Sequence, residues 1–208
     1  MKFADRIKTN CRKPRGFFGR RTIAAMNERH RSLHEWGLSK MELADGMDVL
    51  DVGCGGGTVV SMLLALLPSS RVFGLDYSGV SVALAKKENA AAVQAGRCEI
   101  SMGDIAALPY GEGAFDVVTS FENYYFWDDF EKCAFEILRV LRPGGRLYIT
   151  GDDHNTGKPN PQMEHYVEIM NMKYLTADSL KKLLTDCGFS EVTVETEADG
   201  RIFAAAGK

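Results

Sequence analysis

Ten residues, Val49-Leu-Asp-Val-Gly-Cys-Gly-Gly-Gly-Thr58, restrict what this chain can fold into more than any others. Three apolar residues (Val49, Leu50, Val52) are interrupted by Asp51 and run into glycines at 53, 55, 56 and 57. An apolar pattern of helical period follows from Val59 to Leu67 and stops at Pro68. This is a buried strand, a tight turn and a helix, the opening of an α/β unit. Glycines fit where the backbone must turn sharply or lie against a ligand with no Cβ between them. In open parallel sheets the ligand crevice lies beyond the carboxyl ends of the strands, where such a loop sits. A dinucleotide fingerprint would need its third glycine at position 58, which is Thr, so a nicotinamide oxidoreductase is disfavoured.

The rest of the chain continues the α/β alternation. A strand, Arg71-Val-Phe-Gly-Leu-Asp76, ends in an acid nineteen residues past Gly57, the spacing at which a strand-tip carboxylate receives ribose hydroxyls. A helix is expected over about 80–95, closed by Gly96, then strands over 99–102 and 115–122. A helix over 130–141 leads into a strand over 146–151. Residues 152–175 read as an insertion with a Met-rich helix. Thr176 caps the last helix and Gly188 closes it. Strands over 191–196 and 201–206 are joined by the hairpin turn Ala198-Asp-Gly200. Upstream, Ile23, Met26, His30 and Leu33 form a helical stripe.

Several strings together resemble the class I S-adenosylmethionine (SAM) dependent methyltransferases, in particular the small-molecule enzymes of the type 11 group. They are Asp51-x-Gly53-x-Gly55-x-Gly57, Phe115-Asp-Val-Val118, Leu141-Arg-Pro-Gly-Gly-Arg-Leu147 and, more loosely, the leader Arg29-His-Arg-Ser-Leu-His-Glu-Trp-Gly37. The resemblance covers about residues 47–208. It implies a Rossmann-like three-layer α/β sandwich: a seven-stranded, mostly parallel sheet with a C-terminal antiparallel hairpin and a helical N-terminal cap. The whole chain then reads as one methyltransferase domain, with a basic cap over 1–46, a SAM-binding core over 47–208 and a lid-like insertion at about 152–175. The implied cofactor is SAM, with S-adenosylhomocysteine (SAH) as product. Its implied contacts are Asp51, Gly53, Cys54, Gly55 and Gly57 in the loop, Asp76 and Tyr77 at the second strand tip, and Gly103, Asp104 and Ile105 at the adenine end. Phe121 and Glu122 face the transferring methyl, and Met26 and His30 lie in the covering helix.

A sulfonium methyl is already on a good leaving group, so the protein must orient a nucleophile, exclude water and remove a proton where one is lost. Acceptor contacts are expected at 122–127, 152–155 and 162–172. Tyr124, Tyr125, Phe126 and Trp127 suit an aromatic or cationic pocket, and Met163, Met170 and Met172 suit an adaptable lid. Glu122, His154 and Tyr124 are the candidate catalytic groups. Glu122, Asp152, Asp153 and His154 would be a magnesium set in metal-dependent catechol methyltransferases, but the rest of that pattern is missing and no metal is expected. Cys54 is read as small for fit, not as a nucleophile.

Composition narrows the function classes. No apolar run reaches the roughly 18 residues of a membrane span. Neither a signal peptide nor a cleaved presequence is expected. The five cysteines (11, 54, 98, 133, 187) form no Cys-x-x-Cys pair, which favours a cytoplasmic location over a disulfide framework or structural zinc. Residues 1–40 hold eleven of the twenty-five Lys/Arg but three of the twenty-eight Asp/Glu. That basic arm keeps an RNA methyltransferase open as an alternative. Against it, Glu122-Asn-Tyr-Tyr125 stands where an Asn-Pro-Pro-Tyr-like tetrad would. A non-catalytic SAM-binding protein is the other alternative. The expected partner is a small-molecule acceptor.

Overall fold

The computed structural model describes residues 29–152 and 154–208; Met26 and Asp153 lie outside them. In chain order the elements are α1 (Arg31–Ser39), β1 (Asp48–Val52), α2 (Thr58–Leu66), β2 (Arg71–Asp76), α3 (Gly79–Glu88), α4 (Ala90–Gln94) and β3 (Cys98–Met102). Then come β4 (Phe115–Phe121), a 3-10 turn (Tyr124–Phe126), α5 (Phe130–Val140), β5 (Leu141–Gly151), α6 (Pro161–Met170), α7 (Ala177–Asp186), β6 (Ser190–Thr196) and β7 (Ile202–Gly207).

The strands form a seven-stranded sheet in the order β3-β2-β1-β4-β5-β7-β6. All neighbours are parallel as far as β5, and β7 is antiparallel to both β5 and β6. The order reverses between β1 and β4, which makes their carboxyl ends the switch point where ligands bind in such sheets. Successive strand residues face opposite sides of a sheet, and both sides here are apolar. Leu50, Val52, Val118, Leu147 and Ile149 pack in one core with α5 and α7. Val49, Val72, Val117 and Tyr148 pack in another with α2 and α3. A central strand such as β1 is therefore buried throughout.

Local chemistry explains the helix limits. Asp129, Thr176 and Asn160 cap α5, α7 and α6, each side-chain oxygen accepting the N–H three residues on. In α5 the buried positions Phe130, Cys133, Ala134, Ile137 and Val140 follow the helical period. The helix expected over 80–95 is instead two, α3 and α4, broken at Asn89. The Asn89 amide donates to the carbonyls of Gly57 (3.1 Å) and Ala85 (3.0 Å), tying the break to the glycine loop. β5 starts earlier than expected: Leu141 already pairs with Phe115, and a bulge brings Arg146 opposite Val117.

At the amino ends of the strands, Asp48 on β1 takes Arg71 Nε and a guanidinium nitrogen at 2.8 and 2.9 Å, and Arg142 at 2.8 Å. Arg142 also pairs with Asp116 of β4. Burial works to raise the Asp48 carboxyl, but the bonds from Arg71 and Arg142 outweigh it and hold it below its ordinary value. A depressed carboxyl contributes stability that is complete above its unfolded pKa and lost as pH falls through the folded one. Asp48→Ala is expected to cost about 1–2 kcal/mol in urea unfolding at pH 7, modest because both arginines reach solvent. The difference from wild type should shrink below about pH 4.

Candidate functional site

Beyond the carboxyl ends of β1, β2 and β4 the backbone is arranged around one side chain, Asn123. Its amide donates to Val52 O (2.6 Å) and Phe121 O (3.1 Å), joining the tips of β1 and β4. Its oxygen accepts from Ser120 Oγ and Trp127 Nε1, both at 2.9 Å. A Cβ on Gly53 (φ 68°) would fall 2.6 Å from the Asn123 amide nitrogen, so that glycine is required by packing as well as by dihedral. The loop then crosses to β2, where Gly53 and Cys54 donate to Leu75 O at 2.7 and 3.0 Å.

This loop walls a cavity of about 370 Å³. Asp51, Gly53, Cys54, Gly55, Asp76, Tyr77, Gly103, Asp104, Ile105, Phe121, Glu122 and His30 all line it, as the sequence suggested. Gly57 does not. It precedes α2 at φ 83°, and a Cβ there would meet Asn89 Nδ2 at 2.6 Å and Ala85 Cα at 2.8 Å, so its task is helix packing. Thr58, His34 and Lys132 line the cavity without having been foreseen, and Asn123, expected within the acceptor stretch 122–127, lines it too. His34 sits one helical turn after His30, the one usable signal for it. Thr58 and Lys132 stand in the first turns of α2 and α5, where no sequence pattern marks them as facing the cavity.

Asp76 is buried, and its two oxygens accept from Gly55 N (3.0 Å) and Ser78 N (2.8 Å). Burial raises its carboxyl, against the pull of those amides. Asp51 accepts from Thr119 Oγ1 at 2.8 Å and is pushed up to about 7, first by burial and then by Asp76. Burial also pushes the Cys54 thiol well up, so it is no nucleophile. Asp104 accepts from Ala106 N at 2.9 Å, closing a turn while facing the cavity.

Over this cavity lies α1. It approaches β4 and β5 at Gly37, where a Cβ would be 2.6 Å from Thr150 Oγ1 and 2.8 Å from the Phe121 ring. His34 meets Phe121 edge-on at 5.5 Å. Burial lowers the His34 pKa to about 4, with His30 adding to the shift, so the ring is neutral at pH 7.

A second cavity, of about 380 Å³, opens on the far side of Glu122. His30, Glu122 and Phe126 line both. Glu122 has φ 56°, a left-handed conformation that a non-glycine residue adopts only when its surroundings impose it. Its Oε1 accepts from Asp152 N (2.7 Å) and its Oε2 from Tyr125 OH (3.1 Å). Burial raises the carboxyl well above its ordinary value, with Asp152 adding to the effect. His30 Nδ1 stands 3.7 Å from Glu122 Oε2, and His30 Nε2 stands 3.9 Å from Asp152 Oδ2.

His30, Glu122 and Asp152 each offer a ligand atom within 4.8 Å of the others. The two closest approaches use opposite nitrogens of the imidazole, an arrangement suited to passing a proton more than to holding one ion. The set differs from the one read in the sequence, because His154 is elsewhere. Its Nδ1 lies 2.7 Å from Gly200 O at the β6–β7 turn, and it lines neither cavity. Tyr124 lines the second cavity alone; burial and then Glu122 raise its phenol further, which keeps it protonated.

These residues fit SAM. At Gly55 nothing stands within 4 Å of where a Cβ would be, so the loop presents bare backbone there. The first cavity is lined by six carboxyl groups (Asp51, Asp76, Asp104, Glu122, Asp128, Asp129) and one lysine, Lys132. Such a lining favours a cationic cofactor and opposes the pyrophosphate of a dinucleotide.

Comparison with known proteins agrees. Residues 50–149 match the family described as "Methyltransferase domain". The chain is 31% identical over 157 residues to the O-methyltransferase cnsE of Penicillium expansum, covering 74% of this chain and 56% of that protein. It is 30% identical over 193 residues to a probable S-adenosylmethionine-dependent methyltransferase of Mycolicibacterium smegmatis, covering 91% and 69%. The chain thus spans a little over half the length of the first of these relatives. Its fold matches a Haemonchus contortus phosphoethanolamine N-methyltransferase 2, solved with phosphomonomethylethanolamine and SAH, at TM-score 0.79 and 18% identity, covering 90% and 57%.

A carboxyl raised in the folded state contributes stability that is complete below its unfolded pKa and lost as pH rises through the folded value. For Asp51 that window runs from about 4 to about 7. Asp51→Asn, still able to accept from Thr119, should therefore gain in melting temperature relative to wild type as pH rises across it. Parallel curves would show that Asp51 is not raised.

Proposed function

The chain belongs to the S-adenosylmethionine-dependent methyltransferases, and on that premise we propose that it methylates a hydroxyl of a small-molecule acceptor held in the second cavity. The observation that carries this reading is the wall of His30, Glu122 and Phe126 common to the two cavities. It is where a cofactor on one side and an acceptor on the other would meet.

When bound, SAM supplies a methyl on a sulfonium: an acceptor lone pair forms the new bond, the C–S pair returns to sulfur, and the acceptor's proton must be taken up. The chain's residues do the rest. Gly53, Gly55 and Gly56 give the cofactor bare backbone to lie on. Asp76 keeps lone pairs for ribose hydroxyls after serving Gly55 and Ser78. Tyr77, Asp104 and Ile105 line the same cavity and would hold the adenine. Phe121 and α1 exclude water. His30 takes the acceptor's proton, with Glu122 behind one ring nitrogen and Asp152, whose side chain is 31% exposed, leading to solvent behind the other.

Residues 152–175 act as a lid in this reading, since Asn160, Met163 and Met170 wall the second cavity. Among the described residues no helix is long and apolar enough to cross a membrane. The four described cysteines are buried and free, in keeping with a cytoplasmic location. Hydroxyl as the acceptor group draws on the proton-accepting cluster and on the O-methyltransferase named above.

The test is transfer of radiolabelled methyl from SAM into a cell extract, fractionated into small molecules, RNA and protein. Label is expected among the small molecules. Label in RNA alone would support the nucleic-acid alternative, and no label with tight SAH binding would support a non-catalytic binder. Asp76→Ala should weaken SAH by about 1–3 kcal/mol in calorimetry. His30→Ala, which removes the proton acceptor, should lower kcat on the order of 10²–10⁴-fold while SAH still binds.

A further inference from the structure

The second cavity holds more information than its shared wall. Its sides are aromatic: Tyr125 packs edge-on against Tyr124 at 5.1 Å and Phe126 at 4.7 Å, and Tyr166 and Tyr174 complete the lining with methionines of α6. Such rings hold a planar apolar body by offset and edge contacts, and thioethers adapt to its outline. At the floor is His30 between two carboxyl groups. An imidazole base is matched to an acid near its own range, such as a phenol, and poorly to an aliphatic alcohol.

Two cations line the same space, Arg29 and Lys173. Neither is in an ion pair with any described carboxylate. Lys173 is held at the aromatic turn by its own backbone, its N–H donating to Tyr125 O at 2.8 Å. Of the two acids in the cavity, Glu122 is turned to other partners, its oxygens accepting from Asp152 N and Tyr125 OH, so it leaves both cations unmet. Lys173 is half-buried beside this apolar wall, a position that an incoming anion would favour, and Arg29 is exposed at the same cavity.

We infer that the acceptor is a hydroxyaryl acid: a phenol whose ring lies among Tyr125, Phe126 and Tyr166, with its hydroxyl at His30 and a carboxylate or similar anion at Arg29 and Lys173. This rests on the methyl-transfer reading and narrows it. The hydroxyl proton goes to His30, the oxygen forms the bond to the methyl, and the anionic group takes no part.

Three probes share one phenol and one two-carbon chain: 4-hydroxyphenylacetate (anion), tyrosol (neutral) and tyramine (cation). Each is titrated calorimetrically into the full chain saturated with SAH. The acid is expected to bind at least about tenfold tighter than tyrosol, with tyramine weakest. The double variant Arg29→Ala, Lys173→Ala should bring the acid to within about twofold of tyrosol, leaving tyrosol and SAH binding unchanged, and Lys173→Arg should retain the preference. Tyrosol or tyramine binding as tightly as the acid would overturn the inference. So would binding of none of the three while SAH binds normally. Failure of SAH itself to bind would overturn the methyltransferase reading instead.

Discussion

The structure depends on the Asn123 amide. One side chain ties Val52 to Phe121, accepts from Ser120 and Trp127, and leaves no room for a Cβ at Gly53. Parallel strands are held along their length by the sheet ladder, but at their tips the ladder stops and the backbone must find other partners. Here the tips of β1 and β4 would be free to splay at the switch point of the sheet. Asn123 satisfies both carbonyls and fixes the glycine loop on one side and the turn bearing Tyr124–Phe126 on the other. Both cavities are therefore built from the same junction.

Electrostatics then separates the two cavities. Six carboxyl groups face the first, and burial raises Asp51, Asp76 and Glu122 because each charge lacks a full counter-ion. A cationic cofactor would supply it. The second cavity differs in carrying two cations, Arg29 and Lys173, beside Glu122 and Asp152. Between them His30 reaches one acid through each ring nitrogen, an arrangement that moves a proton without moving the backbone.

The fold was legible because its signals are local. A glycine run after an apolar strand, an acid nineteen residues on, and Arg142-Pro-Gly-Gly145 at the helix-to-strand change each mark an element boundary. The errors at element level were also physical. Asn89 breaks a helix because its side chain serves Gly57, a tertiary bond that no propensity records. The candidate site was legible along the strand tips, where position in the chain fixes position in space. It was misread where the chain folds back. His154 follows β5 directly and looked catalytic, but it anchors the β6–β7 turn, forty-six residues away in sequence. Gly57, read as a cofactor contact, is a packing glycine. His30, read as a cofactor contact, also faces Asp152 and the second cavity, and the two cations there were invisible because Arg29 and Lys173 share a cavity only in three dimensions.

The most direct measurement is a crystal structure of the protein with SAH. The account predicts ribose hydroxyls on Asp76, adenine beside Asp104 and Ile105, and the sulfur directed at the wall of His30, Glu122 and Phe126, open to the second cavity. A sulfur turned away from that wall, or a ligand that leaves Asp76 untouched, would contradict it.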